Sequence, residues 1–333
     1  MMQARLTFAM ADGDDPFANL ALEEALFGCV EDGEVLLYLW QNANTIVIGR
    51  NQNPWKECRV ERFEADGGRI ARRLSGGGAV FHDSGNLNFT FIARDPLYDA
   101  GCNCGIICDA VRSFGVDARM TGRNDLTVEG AKFSGNAFTH RGRAHCHHGT
   151  LMIDVDTGRL ARYLVPDPRK LSAKGVDSVR SRVANLSGFS GRITPETLSV
   201  ALIEAAGHAF GAEPEPFDRA RLDGAALAER TAFFASHAWR FGRTLPFTHR
   251  FDERFAWGGA DINLVVEKGL VGDVRAYSDA LDADFIGRVE DALRGCRYEA
   301  RALDAALAAV VPPDDPAQLA DVRALVRRAL EDN

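Results

Sequence analysis

Gly76, Gly77 and Gly78 follow Arg72 and Arg73, and a strand pattern comes after them, with Leu87, Phe89 and Phe91 alternating on one side. Successive glycines reach backbone conformations closed to other residues, so neighbouring N–H groups can converge on a single anion. The two arginines add fixed charge and forked donors that suit phosphate or carboxylate oxygens. A bare triple glycine is ordinarily a flexible hairpin loop; the arginines before it and the strand behind it favour an anion cradle. No Gly-Lys-Ser/Thr follows, which excludes a P-loop, and no helix follows, which excludes a dinucleotide-binding turn.

With 333 residues the chain holds one large domain and a smaller one. A formal net charge of -8 argues against a protein built to grip nucleic acid, because phosphate neutralisation needs a basic face. Seven cysteines at irregular spacing, with Cys102, Cys104 and Cys108 clustered and no second pair to complete a zinc site, read as free thiols in a reducing compartment. The N-terminus lacks a basic segment followed by an apolar core, and no run of about 18 apolar residues occurs. A soluble, cytoplasmic protein that neither binds nucleic acid nor enters a membrane is expected.

Asp15-Pro16 opens a helix running to Cys29, with Leu22, Ala25, Leu26 and Cys29 on its apolar face and Glu23 and Glu24 toward water. Val35–Trp40 and Thr45–Ile48 read as two strands joined by a turn at residues 41–44. A short helix starts at Asn53-Pro54, and residues 104–115 are helical, ending at Gly115. From Val116 to Asp154, short apolar runs alternate with turns at Gly122, Gly130 and Gly142, the mark of an antiparallel meander. Helices are expected at residues 157–164, 195–211 and 219–236. A Gly- and Pro-containing connection, Trp239–Phe247, separates two domains, residues 1–246 and 247–333. The second reads as a small α+β unit: strand Phe255–Trp257, a Gly258-Gly259 turn, the alternation of Ile262, Leu264 and Val266, and helices at 283–294 and 316–330.

Lys132 sits in the meander, in Lys132-Phe133-Ser134-Gly135-Asn136-Ala137. A strand lysine is ordinarily a solvated edge residue. Here a short meander brings Gly122-Arg123-Asn124-Asp125 and His147-His148-Gly149-Thr150 beside it, and polar groups converge on one ammonium.

Taken together, Arg72–Asp83, Gly122–Leu126, Lys132–Ala137, His147–Leu151, Leu171–Val183 and Asp252–Gly259 closely resemble the ordered motifs of the lipoate–protein ligase A family, over essentially the whole chain. The resemblance implies an α+β fold: a large catalytic domain of the biotin/lipoate ligase type, built on a mixed or antiparallel sheet, with a small C-terminal α+β domain. It implies an enzyme that activates lipoate with ATP and passes the lipoyl group to a lysine of a lipoyl carrier domain, in 2-oxoacid dehydrogenases or the glycine cleavage H protein. Arg73 and the backbone of Gly78, Ala79, Val80 and Phe81 would then hold the ATP phosphates. Lys132 would contact both the ATP phosphate and the lipoate carboxylate. Asn124 and Asp125 would lie near the phosphates, with Asp125 a contact for Mg²⁺. Leu74 and Thr139 depart from the family pattern, where some members carry serine and arginine.

The chemistry itself asks for such a lysine. Joining a carboxylate to the α-phosphorus of ATP brings two anions together, and a fixed cation must neutralise and align them. The resulting anhydride is water-sensitive and needs a dry pocket. Several other readings compete. Cys146, flanked by His145 and His147, is the candidate nucleophile of a lipoyl or octanoyl transferase working through a thioester. Strand neighbours point to opposite faces, however, and Pro166-Asp167-Pro168 lacks the cysteine expected of octanoyltransferases. A biotin ligase, a non-catalytic lipoate binder and a zinc site at the histidines are weaker, the last because no carboxylate or cysteine stands at ligand spacing. The C-terminal domain reads as a lid, an acceptor-contact surface or a stability domain.

Overall fold

The computed structural model describes residues 4–121, 125–165, 183–242 and 247–331. Its first helix forms as its residues dictate. Asp15 caps α1 (Pro16–Cys29), accepting from the amides of Phe17 and Ala18, and Pro16 occupies a first-turn position where no donor is lost. β1 (Arg5–Met10) and β2 (Glu34–Trp40) flank it, and every residue of β2 is buried. A strand covered on both faces reads as an unbroken apolar run, which is what Val35–Trp40 is.

Further along the chain come β3 (Thr45–Ile48), α2 (Pro54–Glu57), α3 (Val60–Ala65), β4 (Arg69–Arg72), β5 (Val80–His82), β6 (Asn86–Arg94) and α4 (Ala100–Arg112). The meander follows as β7 (Ala118–Thr121), β8 (Asp125–Val128), β9 (Ala131–Arg141) and β10 (Ala144–Met152). Its antiparallel pairing agrees with the expectation. Glu129 and Gly130, at φ 50° and 77°, make the tight β8–β9 turn; that left-handed backbone suits glycine and is why Gly130 stands there. After α5 (Thr157–Tyr163) come α6 (Pro195–Phe210), β11 (Glu215–Pro216), α7 (Gly224–Ala235) and α8 (His237–Phe241). The segment read as one helix over 219–236 is a 3-10 turn at Arg219–Arg221 followed by α7, which starts at a new Asp223 cap.

Eight strands form one mixed sheet in the order β11-β1-β2-β6-β10-β9-β8-β7, parallel at β11-β1-β2 and antiparallel elsewhere. Leu37, Phe89, Phe91 and Phe133 face a core shared with Ile107 of α4 and Leu198 of α6. Helix α1 packs against β2, β6 and β10, with α7 beside it. One sequence expectation fails here. Glu23 is buried, 7% exposed, because its side of α1 faces the sheet and not water. The two strands expected on either side of residues 41–44 both form, but they do not pair: β1 and β6 already occupy both edges of β2, so β3 joins a separate three-stranded sheet, β4-β3-β5.

The chain divides into two compact units. One comprises Met1–Val47, Arg59–Ala71 and Val80–Arg240; the other comprises Ile48–Cys58, Arg72–Ala79 and Phe241–Asn333. The second holds the sheet β12 (His249–Phe255), β13 (Gly258–Glu267), β14 (Leu270–Tyr277), with α9 (Ala283–Leu293), α10 (Ala300–Ala308) and α11 (Pro316–Glu331). Ile262, Leu264, Phe285, Leu303 and Val326 form its core. Gly258 and Gly259 open β13 and do not form the expected turn; that falls at Ala256-Trp257. No helix among the described residues is long and apolar enough to cross a membrane.

Candidate active site

Lys132 lies on β9 opposite Thr127, next to a register shift between Leu126 and Thr127. The shift leaves Phe133 as the extra residue, and Phe133 is fully buried in the core. Such a bulge re-aims side chains, and the lysine beside this one stays accessible, with a third of its side chain exposed. Its Nζ is 2.5 Å from Asp125 Oδ1. It also lies over Gly135, where an added Cβ would come within 3.4 Å of both Cε and Nζ. The Lys132 carbonyl accepts from the Ala184 amide at 2.9 Å, which pins the strand beneath the ammonium. Asn124, the rest of its Gly122–Asn124 turn and the Leu171–Arg182 motif lie outside the described residues, as does the Pro166-Asp167-Pro168 stretch.

Strand alternation continues this surface inward. Gly135 N donates to Thr150 Oγ1 at 3.3 Å, and Thr150, His148 and Cys146 recur at every second position of β10. His148 Nδ1 lies 2.8 Å from Glu23 Oε1, which also accepts from Thr90 Oγ1 at 2.7 Å; Trp40 Nε1 donates to Thr90 Oγ1. The opposite face carries His147, which stacks on Phe138 and contacts Asn136 Oδ1 at 2.8 Å through Nε2. Burial and neighbouring His148 push His147 down to about 3, so it is neutral. His145 stacks on Tyr98. His145 and His147 thus share no metal-ligand cluster among the described residues, while His148 meets Glu23, which the sequence reading turned toward water. Glu23 comes from a helix 125 residues away in the chain, and no local pattern announces that approach.

Cys146 is buried at 2% exposure, and burial, reinforced by Glu23, pushes its thiol well up. A nucleophilic cysteine needs access and a lowered pKa, and Cys146 has neither. Iodoacetamide treatment of the native protein is expected to leave Cys146 unmodified and adenylate formation unchanged. Rapid alkylation with matching loss of acyl transfer would revive the thioester reading.

In the second unit the arginines before the glycine run turn inward. Arg72 Nη1 donates to the carbonyls of Gly49 (3.2 Å), Arg50 (2.8 Å) and Gln52 (2.8 Å). Burial, with a contribution from Arg275, pushes Arg72 down to about 10, still charged at neutral pH. Arg73 donates through Nε to Ser75 Oγ and through Nη2 to the carbonyls of Gly76 (2.6 Å) and Gly78 (2.8 Å). Tying those carbonyls back on one cation shapes the loop. Gly76 and Gly77 are buried, and Gly77 N donates to Ala280 O at 3.0 Å. Gly78, Ala79 and Val80 stay half-buried, and Phe81 puts its ring in the core of the first unit. Anything the Gly78–Phe81 stretch offers an anion therefore comes from backbone amides.

An eight-stranded mixed sheet that carries a partly exposed lysine ammonium, an arginine-shaped glycine loop and a small α+β unit make up an α+β fold of the lipoate ligase type. The family model for the lipoyl protein ligase A/B catalytic domain matches residues 15–207, and that for the bacterial lipoate protein ligase C-terminus matches residues 244–319. Lipoate-protein ligase A of Psychrobacter cryohalolentis is 43% identical over 294 residues, covering 86% of each chain. The structure of P. falciparum LipL1 in complex with lipoate superposes with a TM-score of 0.85 at 27% identity, over 98% of this chain and 99% of that one. A lipoate-protein ligase A bound with ATP shares the fold, with a TM-score of 0.62 at 23% identity over 72% of this chain and 99% of that one. The chain belongs to the lipoate–protein ligase A family.

Proposed function

We propose that the protein activates free lipoate with ATP to lipoyl-AMP, releasing pyrophosphate, and then transfers the lipoyl group to a carrier lysine. The observation that carries the site assignment is Lys132: a partly exposed ammonium, held by Asp125, on the edge of a sheet face that runs inward to buried side chains. Lys132 neutralises the lipoate carboxylate and the α-phosphate as they approach, and stabilises charge on the phosphorus oxygens in the transition state. Arg73 and the Gly78–Phe81 backbone hold the nucleotide phosphates, Arg73 by shaping the loop whose carbonyls it binds. Asp125, with an accessible carboxylate, supplies a hard oxygen suited to Mg²⁺. Magnesium, when bound, neutralises charge on the departing pyrophosphate. Residues 1–246 are the catalytic part and 247–333 the accessory part, and the protein works in the cytoplasm.

The acceptors are lipoyl domains of 2-oxoacid dehydrogenase complexes and the H protein of glycine cleavage. Incubating such a domain with the protein, ATP, Mg²⁺ and lipoate should add one lipoyl group by mass spectrometry, with stoichiometric pyrophosphate. A parallel reaction with octanoate measures acid preference. Modification that proceeds without ATP, from an acylated carrier alone, would replace the ligase with a transferase. Binding of lipoate with no pyrophosphate would leave only a lipoate-binding homologue.

A further inference from the structure

We propose that Lys268 is a modification site: its ε-amine takes an acyl group from an acyl-adenylate, so that the protein lipoylates its own C-terminal unit. The proposal rests on the ligase reading, because that reaction supplies the adenylate. Five lysines occur in the chain, and Lys170 and Lys174 lie outside the described residues. Of the other three, Lys56 is paired with Asp261 and Lys132 with Asp125. Lys268 is exposed and has no carboxylate partner among the described residues. An ammonium held in an ion pair must be released before it can attack; this one is not held.

The turn that carries it is unusual for a lysine. β13 and β14 close through Glu267 opposite Leu270, which leaves Lys268-Gly269 as a two-residue turn with φ of 52° and 77°. Such a turn favours asparagine, aspartate or glycine at its first position, and lysine there carries a small backbone cost. No side-chain hydrogen bond or ion pair among the described residues offsets that cost, and an outlier of this kind points to a use for the side chain. The base of the hairpin tip is fixed: Tyr298 N donates to Gly269 O at 2.9 Å, and Leu270 bridges to Arg297. Glu267, Gly269 and Leu270 are all exposed, so no neighbouring wall blocks a bulky acyl phosphate. Leu270, 48% exposed, offers the acyl chain an apolar surface beside the turn. In the step itself the unprotonated Nζ attacks the acyl carbon and an amide bond forms. The carbon–oxygen bond to AMP breaks, AMP leaves with the electron pair, and the nitrogen gives one proton to solvent.

The test incubates the full-length protein with ATP, Mg²⁺ and lipoate and no carrier domain, following pyrophosphate release, intact mass and peptide mapping. The expected result is one lipoyl group per chain, mapped to Lys268. Lys268→Arg keeps the charge at the hairpin tip and should lose the adduct while pyrophosphate release is unchanged. Pyrophosphate release with no adduct, an adduct that persists in Lys268→Arg, or adducts spread over the lysines without preference overturns the proposal and leaves the ligase reading standing. If no pyrophosphate appears, the ligase reading fails, and chemically prepared lipoyl-AMP decides Lys268 separately. Acylation there that Lys268→Arg loses supports the site, and its absence removes it.

Discussion

Replacing Lys132 with alanine is expected to slow lipoyl-adenylate formation by roughly 10²-fold or more, a loss of about 3 kcal/mol or more of transition-state stabilisation. Folding should be almost untouched. Lys132 is a third exposed and its partner Asp125 slightly more so, and ion pairs that water reaches contribute about 0–1 kcal/mol. Melting temperature and rate should therefore separate cleanly, which distinguishes a catalytic cation from a structural one. Pyrophosphate release with lipoate and ATP is the assay, at saturating concentrations of both so that binding losses do not masquerade as chemistry. Near-normal adenylate formation by Lys132→Ala would remove the residue from the reaction. Asp125 should then be re-examined as an ordinary surface carboxylate.

The second large effect is expected at Gly76. A Cβ there would stand 2.2 Å from the Ala280 carbonyl oxygen and 2.4 Å from that of Leu281, and both are backbone atoms that no rotamer change can move. Overpacking of this kind costs about 1–3 kcal/mol or more, and the loop must shift to relieve it. Gly77, whose amide donates to the same Ala280 oxygen, would shift with it. Displacing a substrate-positioning element by about 1 Å can cost 10²-fold, so Gly76→Ala should reduce kcat/KM for ATP by roughly that factor. Gly105, inside α4 with no atom within 4 Å of an added Cβ, is the control: Gly105→Ala should be neutral or stabilising by up to about 1 kcal/mol. Full activity of Gly76→Ala would show that the loop does not need its place against the 280–281 backbone.

How much was legible in the chain depended on the reach of each interaction. The α1 boundaries, the capped start of α6, the β7–β10 meander and its left-handed Gly130 turn are all set by neighbours within a few residues, and each stands where the sequence reading put it. The family motifs were legible for a different reason: Lys132, the glycine run and the histidine pair each need particular residue types side by side. What the local pattern did not carry was which distant segment each element would meet. β3 follows β2 after a short turn yet does not pair with it, because β1 and β6 had taken both edges of β2. Glu23 reads as solvated on a helical wheel, and only the packing of α1 on the sheet turns it to His148.

Local chemistry thus determined, from sequence alone, most of the helices, the meander, the α+β class, the family and the lysine proposed to carry the chemistry. Tertiary structure alone decided where the charges go. Arg72 and Arg73, read as donors for an anion, spend hydrogen bonds on loop carbonyls, because buried backbone oxygens must be satisfied before any ligand arrives. The glycine loop clusters with the C-terminal residues and the lysine strand with the rest, a division made by contacts that join segments some 200 residues apart. Cys146 lacks the access and the lowered pKa of a nucleophile for the same kind of reason: burial removes solvent from its thiol and leaves it only the side chains the fold has packed against it.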